Sequence, residues 1–213
     1  MSTQIDRRKI TGFDQPDLAA RALCTLKAGL CIVLPTDTVY GLAAQGDNQS
    51  GIARLQGIKG RGGDFPPPLM VADAGAAWPL VEVVSDQARR LAAAFWPGPL
   101  TLIMSCNQTW SLANTTGNLG IRVPKHTRLQ ALLRLTGPLA VSSANKHTLR
   151  AATTVEQAIE QLGDEVELYI DGGPTTGHIP STVVDCSRPG LEILRLGQIP
   201  CDQILAAAGG LDA

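Results

Sequence analysis

Three short polar segments of the chain carry the side chains that could do chemistry. Residues 35–42 read Pro-Thr-Asp-Thr-Val-Tyr-Gly-Leu and follow directly on the apolar run 30–34. Residues 59–61 read Lys-Gly-Arg, and residues 142–145 read Ser-Ser-Ala-Asn. Ligands of open α/β sheets bind at the carboxyl ends of strands, so polar groups that follow a buried strand are candidates for a site. Together the segments predict a site for a small polar molecule and a phosphate-bearing one.

Lys59 and Arg61 are the candidates for binding phosphate. Side chains two residues apart in an extended segment project to the same side, and two cations beside glycines can hold phosphate groups. For an isolated Lys-x-Arg pattern, the alternative of a solvated charged loop carries more weight.

The 142–145 segment and Arg122 each allow two interpretations. Small polar side chains after the apolar run 138–141 suit the sugar, base edge or phosphate of a nucleotide, but they also suit an ordinary turn. Arg122 lies in an apolar strand, where an arginine needs an anionic partner. From the local sequence alone, a substrate carboxylate and a structural aspartate are equally good partners for Arg122.

Composition and missing motifs exclude several classes of protein. The formal net charge of −1 gives no argument for nucleic acid. The five cysteines are odd in number and form no Cys-x-x-Cys pair, and the three histidines have no metal-ligand spacing, so we expect reduced thiols and no metal site. The phosphate loop, the dinucleotide glycine motif and the hydrolase elbow are all absent. Without a run of roughly 18–20 apolar residues or a signal sequence, we expect no membrane span and a cytoplasmic location.

The elements that position these segments alternate between helix and strand patterns. We predict helices over 16–28, 48–58, 85–95, 126–135, 154–162 and 200–208. Strands are predicted over 30–34, 69–72, 100–105, 119–123, 138–142, 167–171, 181–186 and 191–195. Thr154 and Gln157 have the spacing of a capping box. We expect one α/β domain with a mixed, twisted sheet.

Nine motifs in a fixed order resemble those of the YrdC-like family of threonylcarbamoyl-adenylate synthases. In addition to the three segments above they are Phe-Trp-Pro-Gly-Pro-Leu-Thr at 95–101, Arg-Val-Pro at 122–124, Gly-Pro-Leu-Ala at 137–140, Gly-Gly-Pro at 172–174, Ser-Thr-Val-Val-Asp at 181–185 and Leu-Arg-Leu-Gly at 194–197. The resemblance covers about residues 15–200. It implies an N-terminal tail over 1–14 and a YrdC-like domain over 15–208. The implied fold is a single-domain α/β twisted open mixed sheet with flanking helices and a large central cavity.

The resemblance also implies a reaction. L-Threonine, bicarbonate and ATP would give threonylcarbamoyl-AMP and pyrophosphate, for the N6-threonylcarbamoyladenosine modification of tRNA. The threonine amine captures carbon dioxide as a carbamate, whose oxygen attacks the α-phosphorus of ATP. No protein nucleophile is needed, and Mg²⁺ is expected to share the phosphate charge. A separate tRNA threonylcarbamoyl-transferase complex would take the product.

The family pattern assigns roles to ten residues. Those expected at threonine are Thr36, Tyr40, Arg122, Ser142 and Ser181. Those expected at ATP are Lys59, Arg61, Ser143, Asn145 and Arg195, of which the first four are the expected catalytic residues. Arg122 would bind the threonine carboxylate in a bidentate ion pair. Hydroxyls such as that of Thr36 would form hydrogen bonds with the amine or the side-chain hydroxyl of threonine.

Three departures from the family pattern leave the substrate open. Ala72 stands where many relatives have a histidine that helps bind threonine, and His147-Thr148 replaces the usual Ser-Gly. The loop with Asp64-Phe65-Pro66 also differs from the usual Asn-Pro-Leu. One alternative is therefore a relative that acts on a different amine or carboxylate. Another is a non-catalytic module with weak RNA binding, although the chain lacks a positive balance and a stacking aromatic platform.

Overall fold

The computed structural model of the chain describes residues 5–60, 66–106, 117–177 and 179–209. Within these ranges ten strands form one sheet. They are β1 (Ile10–Gly12), β2 (Ile32–Leu34), β3 (Gly41–Gln45), β4 (Leu69–Met70), β5 (Leu100–Ser105), β6 (Asn118–Arg122), β7 (Leu139–Ser143), β8 (Leu168–Asp171), β9 (Thr182–Asp185) and β10 (Glu192–Arg195).

Seven α-helices in the described residues connect and cover these strands. They are α1 (Leu18–Lys27), α2 (Gln49–Lys59), α3 (Ala74–Ala77), α4 (Asp86–Phe95), α5 (Thr127–Thr136), α6 (Val155–Leu162) and α7 (Cys201–Ala208). Across the described ranges, every helix is too short or too polar to traverse a lipid bilayer.

The sheet is mixed, with the strand order β1-β8-β2-β3-β7-β4-β6-β5-β9-β10. The neighbours β1/β8, β8/β2, β4/β6 and β5/β9 are parallel, and the other five pairs are antiparallel. In the antiparallel pair of β3 with β7, Gly41 lies opposite Ser143. The polar segment before β3 and the one that ends β7 therefore meet at the same edge of the sheet.

Helices cover both faces of the sheet because successive strand residues point to opposite sides. In β2, Ile32 and Leu34 pack in one apolar cluster with α1 and α5. Cys31 and Val33 pack in another, with α2 and α6. A third cluster lies under α4 and α7, against β5, β6 and β9. The mixed α/β sheet with flanking helices is thus confirmed.

Each predicted helix and strand is found within two residues of its expected ends, but the sequence missed β1, α3 and the central strand β3. Its residues, Gly-Leu-Ala-Ala-Gln, include types that are depleted in strands. Tertiary packing decides the conformation here. A Cβ added at Gly41 would stand 2.6 Å from Cγ1 of Val141 in β7, so a larger residue would force the Val141 side chain to move.

The first strand lies inside the segment that the family pattern predicts as a tail. β1 pairs in parallel with β8, and Ile10 lies opposite Tyr169. Lys9 donates to the carbonyl oxygens of Asp164 and Val166 at 3.4 and 3.3 Å. Residues 10–12 are therefore part of the sheet, while the division of the chain at residue 15 stays a prediction.

Candidate functional site

The turn between β2 and β3 is shaped by the hydroxyl of Thr36. Its Oγ1 donates to the carbonyl of Val39 at 2.7 Å and accepts from the N–H groups of Thr38 and Val39 at 3.0 and 3.2 Å. A hydroxyl offers one donor hydrogen and two lone pairs, so these bonds fill the capacity of Thr36. Its buried side chain fixes the turn that presents the next residue, Asp37.

Arg122, at the end of β6, has its anionic partner inside the protein. Its Nη2 donates to Oδ1 of Asp37 at 2.7 Å, and both side chains are nearly buried, at 5% and 11% exposure. Nη1 donates to Oγ1 of Thr38 at 3.2 Å and Nε to the carbonyl of Gly98 at 3.1 Å. Burial lowers the pKa of the Arg122 guanidinium, and the negative charge of Asp37 opposes that shift.

The Asp37–Arg122 pair shows that a structural aspartate is present, but it does not use the whole guanidinium. An arginine carries five N–H hydrogens, and the three bonds to Asp37, Thr38 and Gly98 use three of them. Among the described residues, one hydrogen on each Nη atom has no hydrogen-bond acceptor.

Tyr40 ties the same turn to the segment after β8. Its Oη donates to the carbonyl of Gly173 at 2.7 Å and accepts from the N–H of Gly172 at 3.2 Å. Burial raises the pKa of Tyr40 to about 12, so the phenol stays protonated at neutral pH. Its carbonyl accepts from the N–H of Ala144 at 2.8 Å, which links the turn to the segment after β7.

Ser181, just before β9, is held by groups from two other strands. Its Oγ lies 2.9 Å from Oγ1 of Thr101 in β5. Arg195, at the end of β10, donates through Nε and Nη2 to the carbonyl of Ser181 at 3.1 and 2.8 Å, and through Nη2 to its Oγ at 3.1 Å. A residue expected at threonine and one expected at ATP are therefore in direct contact.

Lys59 is the last residue of α2 and is only 3% exposed. Its Nζ donates to the carbonyl oxygens of Ser143 and Asn145, both at 2.7 Å, and to Oδ1 of Asn145 at 2.9 Å. The Oγ of Ser143 lies 3.3 Å away. For this residue, the alternative of a solvated charged loop is wrong, since helix α2 carries the ammonium group into the interior and against the end of β7.

Asn145 shapes the unusual loop that follows it. Its Nδ2 donates to the carbonyls of Lys146 and Leu149, both at 2.8 Å. Within this loop Thr148 has a φ of +72°, the left-handed region in which a β-branched residue is strained. The family pattern places glycine here, so the loop keeps a glycine-like backbone with a threonine side chain.

Three further positions complete the comparison with the sequence expectations. Ser142 is half-buried in β7, opposite Leu42. Arg61 lies outside the described residues, so its role stays a prediction. Ala72 is buried in the apolar cluster beneath α1 and α5, and its methyl group can offer a ligand no hydrogen bond.

Sequence reasoning missed the internal partners of the predicted residues. Asp37 and Thr38 lie within the motif at 35–42. The negative charge of Asp37 and the hydroxyl of Thr38 are the features that could have identified them as partners of Arg122. The carbonyls of Gly98 and Gly173 carry no such signal, because any residue has a backbone carbonyl. Only the fold shows that they face Arg122 and Tyr40.

A surface cavity of about 440 Å³ lies elsewhere on the molecule, beside the start of α4 and the β9–β10 turn. None of the predicted site residues that the structure describes lines it; its lining residues include Ser85, Ser105, Cys186 and Arg188. The described residues also contain no group of three or more His, Cys, Asp or Glu side chains arranged to hold a metal ion.

Comparison with known proteins places the chain among relatives of similar size and longer ones. A Mycobacterium tuberculosis protein provisionally named threonylcarbamoyl-AMP synthase is 40% identical over 90% of this chain and 89% of its own length. The threonylcarbamoyl-AMP synthase of Bacillus subtilis is 34% identical over 89% of this chain but only 56% of its own length. The chain thus spans little more than half of that longer relative.

A solved structure and a family model agree with these relatives. The crystal structure of Pyrococcus abyssi Sua5 complexed with L-threonine matches 90% of this chain and 57% of its own, with a TM-score of 0.84 and 30% identity. The Sua5/YciO/YrdC family model, described as telomere recombination, matches residues 24–197. The chain therefore belongs to the Sua5/YciO/YrdC family.

Proposed function

We propose that this protein is a threonylcarbamoyl-AMP synthase, which forms threonylcarbamoyl-AMP and pyrophosphate from L-threonine, bicarbonate and ATP. The observation that carries the proposal is the match over 90% of the chain to a Sua5 whose crystal contains L-threonine. The curated relatives named for this activity support it. The product would serve the N6-threonylcarbamoyladenosine modification of tRNA.

The threonine half of the site would form around the 35–40 turn. Arg122 would take the carboxylate with the two N–H hydrogens that its internal bonds leave over. Thr36 and Tyr40 would hold the shape of this turn, since their hydroxyls donate hydrogen bonds to the protein backbone. Ser142 and Ser181 complete the proposed threonine set.

The nucleotide half would form where α2 meets the end of β7. The charge of Lys59, held against Ser143 and Asn145, would offset the negative charge of the ATP phosphates as pyrophosphate leaves. Arg61 and Arg195 complete the proposed ATP set. Positioning and electrostatics would carry the reaction, since the carbamate formed from the substrate is itself the nucleophile.

Mg²⁺ fits this site as an ion carried by the nucleotide. Proteins commonly bind Mg²⁺ through substrate phosphates and one or two carboxylates, and the described residues offer no cage of three ligands. When bound, the ion would neutralise phosphate charge and so favour departure of pyrophosphate.

Several parts of the proposal extend beyond this chain. A separate tRNA threonylcarbamoyl-transferase complex would take the product, in the cytoplasm. Weak RNA binding would accompany that transfer. Within the chain itself, residues 15–208 would be the catalytic unit.

The decisive experiment is mass spectrometry of the products from purified protein, ATP, L-threonine and ¹³C-bicarbonate. We expect labelled threonylcarbamoyl-AMP together with pyrophosphate, and neither without threonine. Pyrophosphate formed with another amino acid, but not with threonine, would favour the relative with a different substrate that Ala72 and Thr148 motivate. No turnover with any amino acid, together with salt-dependent RNA binding, would favour the binding module.

A further inference from the structure

The geometry points to Asp37 as the residue that recognises the α-amino group of the substrate, beside the carboxylate site on Arg122. This inference rests on the proposed function and names how an amino acid is distinguished from a simple carboxylic acid. Asp37 follows Thr36 in the turn and contacts the guanidinium on which the substrate carboxylate is expected.

Two of the hydroxyls expected at threonine, those of Thr36 and Tyr40, are already occupied. The Oγ1 of Thr36 donates to the carbonyl of Val39 and accepts from two backbone N–H groups of its own turn. The Oη of Tyr40 donates to the carbonyl of Gly173 and accepts from a backbone N–H. A donor such as an ammonium group could bind either hydroxyl only by weakening these bonds.

Asp37, in contrast, has hydrogen-bonding capacity left. Its Oδ1 accepts from Nη2 of Arg122, whereas Oδ2 accepts no hydrogen bond from the described residues. Its side chain is 11% exposed, more than that of Arg122, so it can meet a ligand without first leaving its partner. The pair thus offers a free acceptor oxygen beside free N–H donors, which matches the adjacent ammonium and carboxylate of an α-amino acid.

Charge balance favours a zwitterion at this place. Asp37 and Arg122 already neutralise each other, so a bare carboxylate would add one uncompensated negative charge to a nearly buried site. His126 is close enough to feel the charge of Asp37, but burial lowers the pKa of its imidazole and keeps it neutral at neutral pH. An ammonium group on the ligand supplies the missing positive charge.

The test compares two ligands that differ only at the α-position. Isothermal titration of the wild-type protein would use L-threonine and 2,3-dihydroxybutanoate of the same configuration, in which a hydroxyl replaces the amine. We expect threonine to bind at least about tenfold more tightly, a difference of about 1.4 kcal/mol. Equal affinities would overturn the inference without any mutation.

The variant Asp37→Asn sharpens the test, because its amide oxygen can still accept from Arg122. We expect threonine affinity to fall at least about tenfold, about 1.4 kcal/mol, while affinity for the hydroxy acid stays within about twofold. The matched control Arg122→Gln should weaken both ligands alike, since both carry the carboxylate. If Asp37→Asn also weakened both alike, Asp37 would only position Arg122, and the inference would be wrong.

The readouts also separate this inference from the proposed function. Threonine binding that depends on Asp37, without formation of threonylcarbamoyl-AMP, would keep the amino-group site and remove the synthase activity. Normal turnover together with normal threonine binding in Asp37→Asn would remove the amino-group site and keep the synthase activity. Because the role is in binding, we expect the variant to raise KM for threonine more than it lowers kcat.

Discussion

At the scale of single residues, Lys59 joins the stability of the protein to its proposed chemistry. A buried lysine that loses its ammonium group leaves the carbonyl and the Oδ1 of Asn145 without the donor that Lys59 supplies, whereas the carbonyl of Ser143 keeps the N–H of Asn145. We expect Lys59→Met to lower the free energy of unfolding by about 2–3 kcal/mol, since each unsatisfied buried acceptor costs about 1–3 kcal/mol. Adenylate formation should fall at least about tenfold, about 1.4 kcal/mol in the barrier.

Urea unfolding and pyrophosphate release measure the two effects of this change. Lys27→Met is the matched control, because Lys27 is an exposed residue at the last turn of α1. It should leave both quantities unchanged. A stable Lys59→Met protein with normal turnover would show that neither the hydrogen bonds nor the charge of Lys59 matter.

The chemical type of Lys59 was available from the sequence, but its environment was not. The Lys-Gly-Arg pattern predicts phosphate binding or a solvated loop, and both assume an exposed segment. The structure instead continues α2 through Lys59 and ends it at Gly60, whose φ of +65° closes the helix. What buries the ammonium group is β7, which lies more than 80 residues away in sequence, and no local pattern reports such a contact.

Ser181 and Arg195 are a second case in which single residues are coupled, here in ligand binding. They are assigned to different substrates, yet Arg195 donates to both the carbonyl and the hydroxyl of Ser181. We expect the double variant Ser181→Ala/Arg195→Ala to lose less binding free energy for threonine and for ATP than the two single variants lose together. The coupling free energy should lie at about 0.5–3 kcal/mol, the range for residues in contact.

Titrations of the two single variants and the double variant with each ligand measure this coupling. The pair Ser142→Ala/Arg195→Ala serves as control, since no contact joins those two side chains among the described hydrogen bonds. Strict additivity for Ser181 and Arg195 would show that the two halves of the site act independently.

At the scale of elements, the loop after β7 stores strain that can be released. Thr148 holds a φ of +72°, which costs an L-residue roughly 1–2 kcal/mol and costs glycine almost nothing. We expect Thr148→Gly to raise the free energy of unfolding by about 1 kcal/mol, after the greater flexibility of glycine in the unfolded chain is subtracted.

Thermal and urea unfolding of Thr148→Gly and Thr148→Ala test this expectation. Alanine keeps the Cβ atom and therefore most of the strain, so its gain should be clearly smaller. If alanine stabilised the protein as much as glycine, the strain at Thr148 would come from its β-branched side chain and not from the left-handed backbone.

Element ends were predicted well where capping residues mark them. Thr154 accepts from the N–H of Gln157 at 3.3 Å, as the capping-box spacing predicts. The side chain of Gln157, however, accepts from the N–H of Thr153 at 2.8 Å and not from that of Thr154. β3 lacked any such marker, and its conformation follows from pairing on both sides with β2 and β7.

At the scale of the whole molecule, we expect His126 to make the free energy of unfolding depend on pH. It caps α5 through Nδ1, which accepts from the N–H of Leu129 at 3.1 Å, and burial lowers the pKa of its imidazole below 6.5. The unfolded chain therefore binds more protons near this pH, so stability falls as pH drops from about 7 through 6.5. The loss ends once the pH is below the pKa of the folded state.

His126→Asn should remove this contribution and keep the helix cap, because asparagine is among the best N-cap residues. Urea unfolding at pH 7.5 and 5.5 gives the difference between wild type and variant, in which the carboxylate contributions common to both proteins cancel. An equal pH dependence in the two proteins would show that another group is responsible.

The family and fold followed from the order of the motifs, since an ordered set of nine short matches constrains topology more than any one of them. The way in which the segments meet did not follow. Asp37 and Arg122 lie in segments whose strands are separated by β7 and β4 in the sheet, yet they are in contact. Only the three-dimensional arrangement of these segments brings the two side chains together.

The bond from Tyr40 to the carbonyl of Gly173 has a consequence for the protein while it is being made. The two residues are 133 positions apart. At about 5–20 residues per second, a ribosome needs roughly 7–27 s to add the second after the first. During that interval the 35–40 turn has been synthesised but lacks the hydrogen bond from Tyr40 to Gly173, so the turn is not yet held as it is in the finished fold. Substrate that binds afterwards would act only on the finished fold, as a ligand that helps the new protein to persist.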